Sequence, residues 1–388
     1  MQAYQNLDNR LAILALWYIV NTSLTSFYKL TEQFGSSKHA LVQSLQAWQE
    51  LGIHKAHQKR WKDVGDTLAF VARVCDDWQR QAYGVLFVGD DEYPEQLTHI
   101  YDPSPVLFYR GDVRRLNDKQ IAIVGSRNPS EHAQKTTFDI AQYLAYAGLT
   151  ITSGLAQGVD RLAHLGALSQ PSGALGTTVG VMGVGIDLCY PRNHHALYAQ
   201  IVGDGGCLVS ELLPGTPASK HTFPKRNRLV AGLSLATVVT EAAMQSGSLI
   251  TARLCAEQGK QVFAVPSLID NVNAEGCHHL IREGATLIYH PSQILEDIGH
   301  VCATAALPKT CVQNFTAKST QPLPSHMPTP ATVPEHLLVV FEQLSSQPKD
   351  LDSLVLATKL PTGELLAKLM ELELLGVVAV VAGMYQTV

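Results

Sequence analysis

The chain has 388 residues, of which 46% are hydrophobic and 16% charged, and a formal net charge of −5. That much apolar side chain excludes a disordered polyelectrolyte, and the length exceeds what one core usually serves, so two or three domains are expected. Most nucleic-acid-binding domains are basic overall, so here the distribution of charge says more than its sum.

The first apolar run, LAILALWYIV at 11–20, has the look of a secretory segment, but Asp8 precedes it, no small-residue cleavage site follows it, and ten residues cannot span a bilayer. It reads as a buried helix. FYKLTEQFG, stopped by Gly35, and HALVQSLQAWQELG, stopped by Gly52, continue a helical, SAM-like module over residues 1–80. The seven cysteines are scattered and form no C-x-x-C pair, which suggests reduced thiols in a cytoplasmic protein and no metal site.

From about residue 119 the pattern changes. IAIVG, LTITSG, TTVGVMG, CLVSE, ATVVTEA, QVFAVP and TLIYH are apolar runs of strand length separated by amphipathic segments. Buried parallel strands read this way, so residues 81–302 are expected to form a doubly wound, mostly parallel, Rossmann-like α/β domain. Ligands of such sheets lie beyond the carboxyl ends of the strands. Gly125, Ser126 and Arg127 follow the first of these runs. Ser153 and Gly154 follow the second, leading to Asp160 as a candidate helix cap with His164 four residues on. Ser246, Gly247 and Ser248 open a helix after ATVVTEA. A helix N-terminus attracts anions, although simple capping by Ser246 or Ser248 accounts equally well for those serines. Just upstream of ATVVTEA lies KHTFPKRNR, where Lys220, Lys225, Arg226 and Arg228 surround Phe223 and Asn227 without an acid. These cations suit phosphates and Phe223 suits a stacked base, unless it is simply a core residue. The Asp160–His164 spacing permits a carboxylate to orient an imidazole, but a loop-locking hydrogen bond is the simpler expectation. His194 with His195, and His278 with His279, are adjacent rather than spaced as ligands and are expected at the surface.

Residues 303–333, rich in Pro, Ser and Thr, read as an extended linker. Beyond it, 334–388 offers three helical stretches and two strands around Gly383, the plan of a winged helix. This tail carries 3 basic and 7 acidic residues, and its third helix sets Lys368 against Glu364, Glu371 and Glu373. A DNA-reading helix needs cations there, so a protein-contact role is expected instead.

No G-x-x-x-x-G-K-[ST] is present, and the glycines of GVMGVG run in the reverse of the dinucleotide order, so no nucleotide cofactor is expected. The ordered set GSR (125–127), SGLAQGVDRLAHLGAL (153–168), YPRN (190–193), SE (210–211), FPKRNRLVAGLS (223–234), EAAMQSGSLITA (241–252) and EGCHHLIREGA (275–285), with YPEQL (93–97) and DPSPVLFYRG (102–111) upstream, resembles the DNA-processing protein A (DprA, also Smf) family. The resemblance implies a homodimer without catalytic turnover. Such a protein binds single-stranded DNA during natural transformation, shields it and helps load the RecA recombinase. It also places a phosphate-holding role on Arg127 and DNA contacts on Lys225, Arg226 and Arg228. Two departures, Ser267 and the Cys277–His278 pair, put local loop shape in question. The alternative is a nucleotide-binding enzyme or sensor like the lysine-decarboxylase-like nucleoside-phosphate hydrolases, with Glu241 acting on a sugar. With about four phosphate contacts, the single-strand salt slope is expected near −3.

Overall fold

The computed structural model describes residues 2–170, 176–299, 334–344, 349, 351–374, 378–381 and 384–387. The apolar runs form seven strands: β3 (Gln120–Val124), β4 (Thr150–Ser153), β5 (Thr178–Val181), β6 (Cys207–Ser210), β7 (Ala236–Val239), β8 (Gln261–Ala264) and β9 (Thr286–Leu287). Every residue of β3 to β7 is buried, because helices cover both faces; hence the runs are continuously apolar rather than alternating. Two strands that the sequence reading did not name precede them, β1 (Gly84–Phe87) and β2 (Val106–Gly111). The sheet order is β1-β2-β6-β5-β4-β3-β7-β8-β9; β2 is antiparallel to β6 and to β1, and the remaining pairs are parallel. After β3 the chain winds outward through β4, β5 and β6. It then crosses back to place β7 on the other side of β3, so a switch point opens at their carboxyl ends.

The N-terminal segment is helical throughout, from Gln2–Gln5 to Val64–Gln79. The apolar run falls in the helix Asn9–Ile19, and Asp8 caps it by accepting a hydrogen bond from the Leu11 amide at 2.8 Å. The expected stop at Gly35 is a left-handed residue (φ 79°) closing the helix Leu24–Phe34. Trp17 is fully buried and donates from Nε1 to the Glu211 carbonyl at 3.0 Å, tying this layer to the end of β6. Its neighbours Trp48, Phe27 and Leu30 share one core with Phe87, Phe108 and Leu208 of the sheet. Residue 80 thus marks a change of pattern and not a gap in the core; residues 1–307 form one compact unit.

Residues 308–388 form the second unit. It holds the helices Leu338–Leu344, Leu351–Thr358 and Thr362–Leu374 and the antiparallel pair Val378–Val381 with Met384–Thr387, around Leu337, Phe341, Leu354, Leu365 and Leu369. This is the winged-helix plan. Lys368 donates to the His336 carbonyl at 2.9 Å and lies 3.9 Å from Glu364, so its charge is spent inside the unit. The expected linker at 303–333 lies outside the described residues, as do Cys302 and Cys311.

Candidate nucleic-acid interface

At the switch point a cleft of about 590 Å³ opens. Gly125 and Arg127 reach it from the end of β3, Gly154 and Asp160 from beyond β4, and Ser246, Gly247 and Ser248 from the turn that starts the helix Ser248–Glu257. The fourth wall is the basic stretch, which supplies Lys220, Phe223, Arg226 and Asn227. The loops are locked together. Ser126 donates its amide to the Glu241 carbonyl at 2.7 Å and accepts from the Val159 amide at 3.0 Å, while its hydroxyl accepts from the Asn128 amide. Gly158 has a φ of 76° and lies so close to the Ser126 and Arg127 carbonyls that no side chain fits there.

The basic stretch is the beginning of a helix, Thr222–Leu233, and helical geometry sorts its cations. Successive residues point about 100° apart, so charges adjacent in sequence face different surroundings. Lys220 and Lys225 are exposed, as is Arg127 across the cleft. Arg226 turns inward and is only 7% exposed. Its guanidinium donates to the Gly154 carbonyl, and to the Val181 carbonyl at 2.8 Å. A methyl group on Gly154 would overlap that guanidinium, which explains the glycine. Burial lowers the pKa of Arg226 and the charge of Asp160 opposes that shift; burial raises Asp160, with Arg226 opposing in turn. Arg226 therefore lines the cleft as a brace between β4 and β5, with Nη1 given to the two carbonyls and Nε to Asn227 Oδ1 at 3.2 Å.

Arg228 corrects the expectation more sharply. It points away from the cleft and pairs with Glu211, the two side chains being 16% and 5% exposed. It also donates to the Asp102 carbonyl at 3.2 Å and to Ser104 Oγ at 3.1 Å, and Ser104 donates to the same Glu211 carboxylate. Its guanidinium is thus taken up by partners outside the cleft. Ser153 is likewise buried, donating to the Ile123 carbonyl at 2.6 Å. Asn227 ties the basic helix to the opposite lip by donating to the Gly247 carbonyl at 3.3 Å. Ser246 and Ser248 hydroxyls bond each other at 2.6 Å, and Ser246 Oγ also accepts from the Ser248 amide at 3.3 Å, so it takes up the first amide of the helix.

Asp160 is the second residue of the helix Val159–Leu168, not its cap, and accepts from the Ala156 amide at 3.2 Å. His164 does not meet it. Its Nδ1 lies 2.7 Å from Thr178 Oγ1, whose own proton goes to the Ile151 carbonyl, so Nδ1 must donate. Burial, then His194 and Arg226, lower the His164 pKa to about 3. His194, expected at the surface, is 2% exposed and bonds the Leu155 carbonyl through Nδ1 at 3.1 Å. His195 and His279 are exposed, whereas His278 is half-buried against Ser267. Glu241 is pinned: its carboxylate accepts from the Ser130 amide at 3.0 Å and the Ser130 hydroxyl at 2.6 Å, which spends the carboxylate the hydrolase alternative requires.

The model of the DNA recombination-mediator protein A family matches residues 84–299, and that of the DprA winged-helix domain matches 324–384. This chain belongs to the DNA recombination-mediator protein A family. Protein Smf of Escherichia coli (strain K12) is 37% identical over 79% of this chain and 78% of its own length. The crystal structure of DNA processing protein A from Streptococcus pneumoniae superposes with a TM-score of 0.64 at 32% identity, covering 74% of this chain and 98% of that one. DNA processing protein A from Helicobacter pylori, described for its single-stranded DNA binding mode, matches with a TM-score of 0.50 at 29% identity over 56% of this chain and 95% of its own. In this member of the DprA family, sequence reasoning missed two site-building residues. Glu211, which fixes Arg228, stands inside the strand-ending SE pair and carries no spacing signal. Tyr190, whose ring centroid lies 5.4 Å from that of Phe223, was visible only as part of YPRN.

Proposed function

We propose that this protein binds single-stranded DNA along the switch-point cleft, with Arg127, Lys220 and Lys225 meeting phosphates and the N-terminus of the helix Ser248–Glu257 adding its dipole. One observation carries the reading: the exposed Arg127 and Lys220 line one cleft, Lys225 is exposed between the lining residues Pro224 and Arg226, and none of the three is paired with a carboxylate among the described ion pairs. Gly247 leaves its lip of the cleft open to a backbone, the side-chain space at Gly125 and Gly154 is filled by Val159 and Arg226, and Arg226, Asn227, Ser126 and Ser153 shape the cleft from behind. Contacts to phosphates carry no sequence information, so affinity is expected to be general. Three contacts give a salt slope of roughly −2, shallower than four would, because Arg228 is withdrawn.

The family relationship extends the proposal to transformation: a homodimer that shields incoming DNA and passes it to RecA, without turnover. The acidic tail then serves a protein contact, and among the described residues no helix is long and apolar enough to cross a membrane. Gel-shift titration of poly-dT against duplex at two salt concentrations tests the reading. Preference for the single strand and a lower slope for Arg127→Ala are expected; equal, salt-independent retention of both would overturn it. Incubation with nucleoside monophosphates tests the alternative, which requires released base.

A further inference from the structure

Phe223 is half-buried, and its surroundings leave little room on it. Gly183 presses against the Cδ1–Cε1 edge of the ring, where a Cβ would stand 2.8 Å from Cδ1. The Arg127 guanidinium carbon stands 6.0 Å over the ring centroid. Inserting a base between them needs two layers of contact, about 7 Å, so a base enters there only if Arg127 moves. Next to Phe223 stands Tyr190, its ring centroid 5.4 Å away, tilted by 41° to Phe223 and 44% exposed. Its backbone is held on both sides: Tyr198 OH donates to the Tyr190 carbonyl at 3.0 Å and accepts from its amide at 3.5 Å. Tyr198 itself is 5% exposed, and His194 anchors the same segment to Leu155 beside Gly154. An aromatic ring left nearly half in water on a braced segment, at the margin of a cationic cleft, has the properties of a stacking platform.

We propose that Tyr190 is the base-stacking residue of the cleft, and that Phe223 supports it from behind while its own face stays covered by Arg127. The ligand is an unpaired nucleobase of a single strand whose phosphates run past Arg127, Lys220 and Lys225. This rests on the single-strand reading above and adds a base contact to a site otherwise made of phosphate contacts.

The test is a two-by-two comparison on the full chain, using an oligo-dT strand and a strand of equal length made of abasic deoxyribose phosphates. Tyr190→Ala should weaken binding to oligo-dT roughly tenfold, in line with one lost base stack, and leave the abasic strand unaffected. Tyr190→Phe should restore the wild-type ratio between the two strands, since only the ring is needed. Arg127→Ala should weaken both strands together. Equal losses on both strands for Tyr190→Ala, or none on either, overturn the stacking role while leaving the cationic cleft standing. Failure of Arg127→Ala to weaken either strand refutes the cleft itself. A circular-dichroism melt of each variant separates misfolding from lost contact; if Tyr190→Ala unfolds, Tyr190→Leu, which keeps apolar bulk without a flat ring, makes the same comparison, with a loss on oligo-dT alone expected and equal or no losses overturning the role.

Discussion

The cleft and the tail are both built on plans that proteins use to hold nucleic acid, yet they treat their cations in opposite ways. In the tail, Lys368 donates to the carbonyl of His336 and sits beside Glu364, within a helix that also carries Glu371. At the cleft and on its basic helix, Arg127, Lys220 and Lys225 stand in solvent without carboxylate partners among the described ion pairs, while Arg226 braces the cleft wall through carbonyls and Arg228, turned away from it, pairs with Glu211. A winged helix is a shape; whether it grips a polyanion depends on charges left unspent. The difference teaches that two kinds of cation coexist within nine residues, one kind structural and one available.

Breaking the structural kind should have the largest effect. Arg228→Ala leaves the Glu211 carboxylate buried with Ser104 alone, and a loss of about 3–5 kcal/mol is expected in chemical denaturation. Replacing both partners, with Arg228→Met and Glu211→Gln, should recover much of it, because an uncompensated charge is the expensive element. Where Arg228→Ala remains folded, its salt slope should match wild type; a flatter slope would return Arg228 to the DNA contacts.

Acid sharpens the contrast next. His164 has its pKa lowered to about 3 against an ordinary 6.5, so between those values the unfolded chain binds more protons than the folded one. Its contribution is complete above pH 6.5 and lost as pH falls toward 3, on the order of 5 kcal/mol in all. His336, the histidine among the tail's described residues, is exposed. His164→Asn should therefore flatten the fall in stability between pH 6.5 and 4, whatever its stability at pH 7; an unchanged fall would disprove the assignment.

Removing one available cation comes third. Lys220→Ala and Lys225→Ala should each weaken binding several-fold on any sequence and reduce the slope by about 0.7. Smallest of all is the effect of deleting residues 308–388, expected to change affinity for oligo-dT by less than about twofold with the slope intact. A steep loss there would show that the tail contributes cations after all.

The long parallel runs were readable because burial on both faces leaves no polar alternation. The same logic hid β1 and β2: GVLF has four residues, too few for a period to distinguish strand from helix. The glycine and serine loops were readable as strand ends, and Gly125, Gly154 and Gly247 do line the cleft. Side-chain direction was harder. Spacing of four residues put Asp160 and His164 on neighbouring turns, but the imidazole found Thr178 on the adjacent strand. His194 lacked any apolar period around it, and its burial comes from a contact with Leu155, 39 positions away.

Composition, strand order of appearance and the motif set fix this chain's architecture and family by local pattern alone, since propensity and hydrophobic period act over a few residues. Which cations face the ligand was decided elsewhere. Arg226 is claimed by carbonyls 72 and 45 positions distant and Arg228 by a carboxylate 17 positions back. Those partners meet only when the sheet closes, because a helix step of about 100° sends neighbouring side chains into different environments and folding alone determines what waits there.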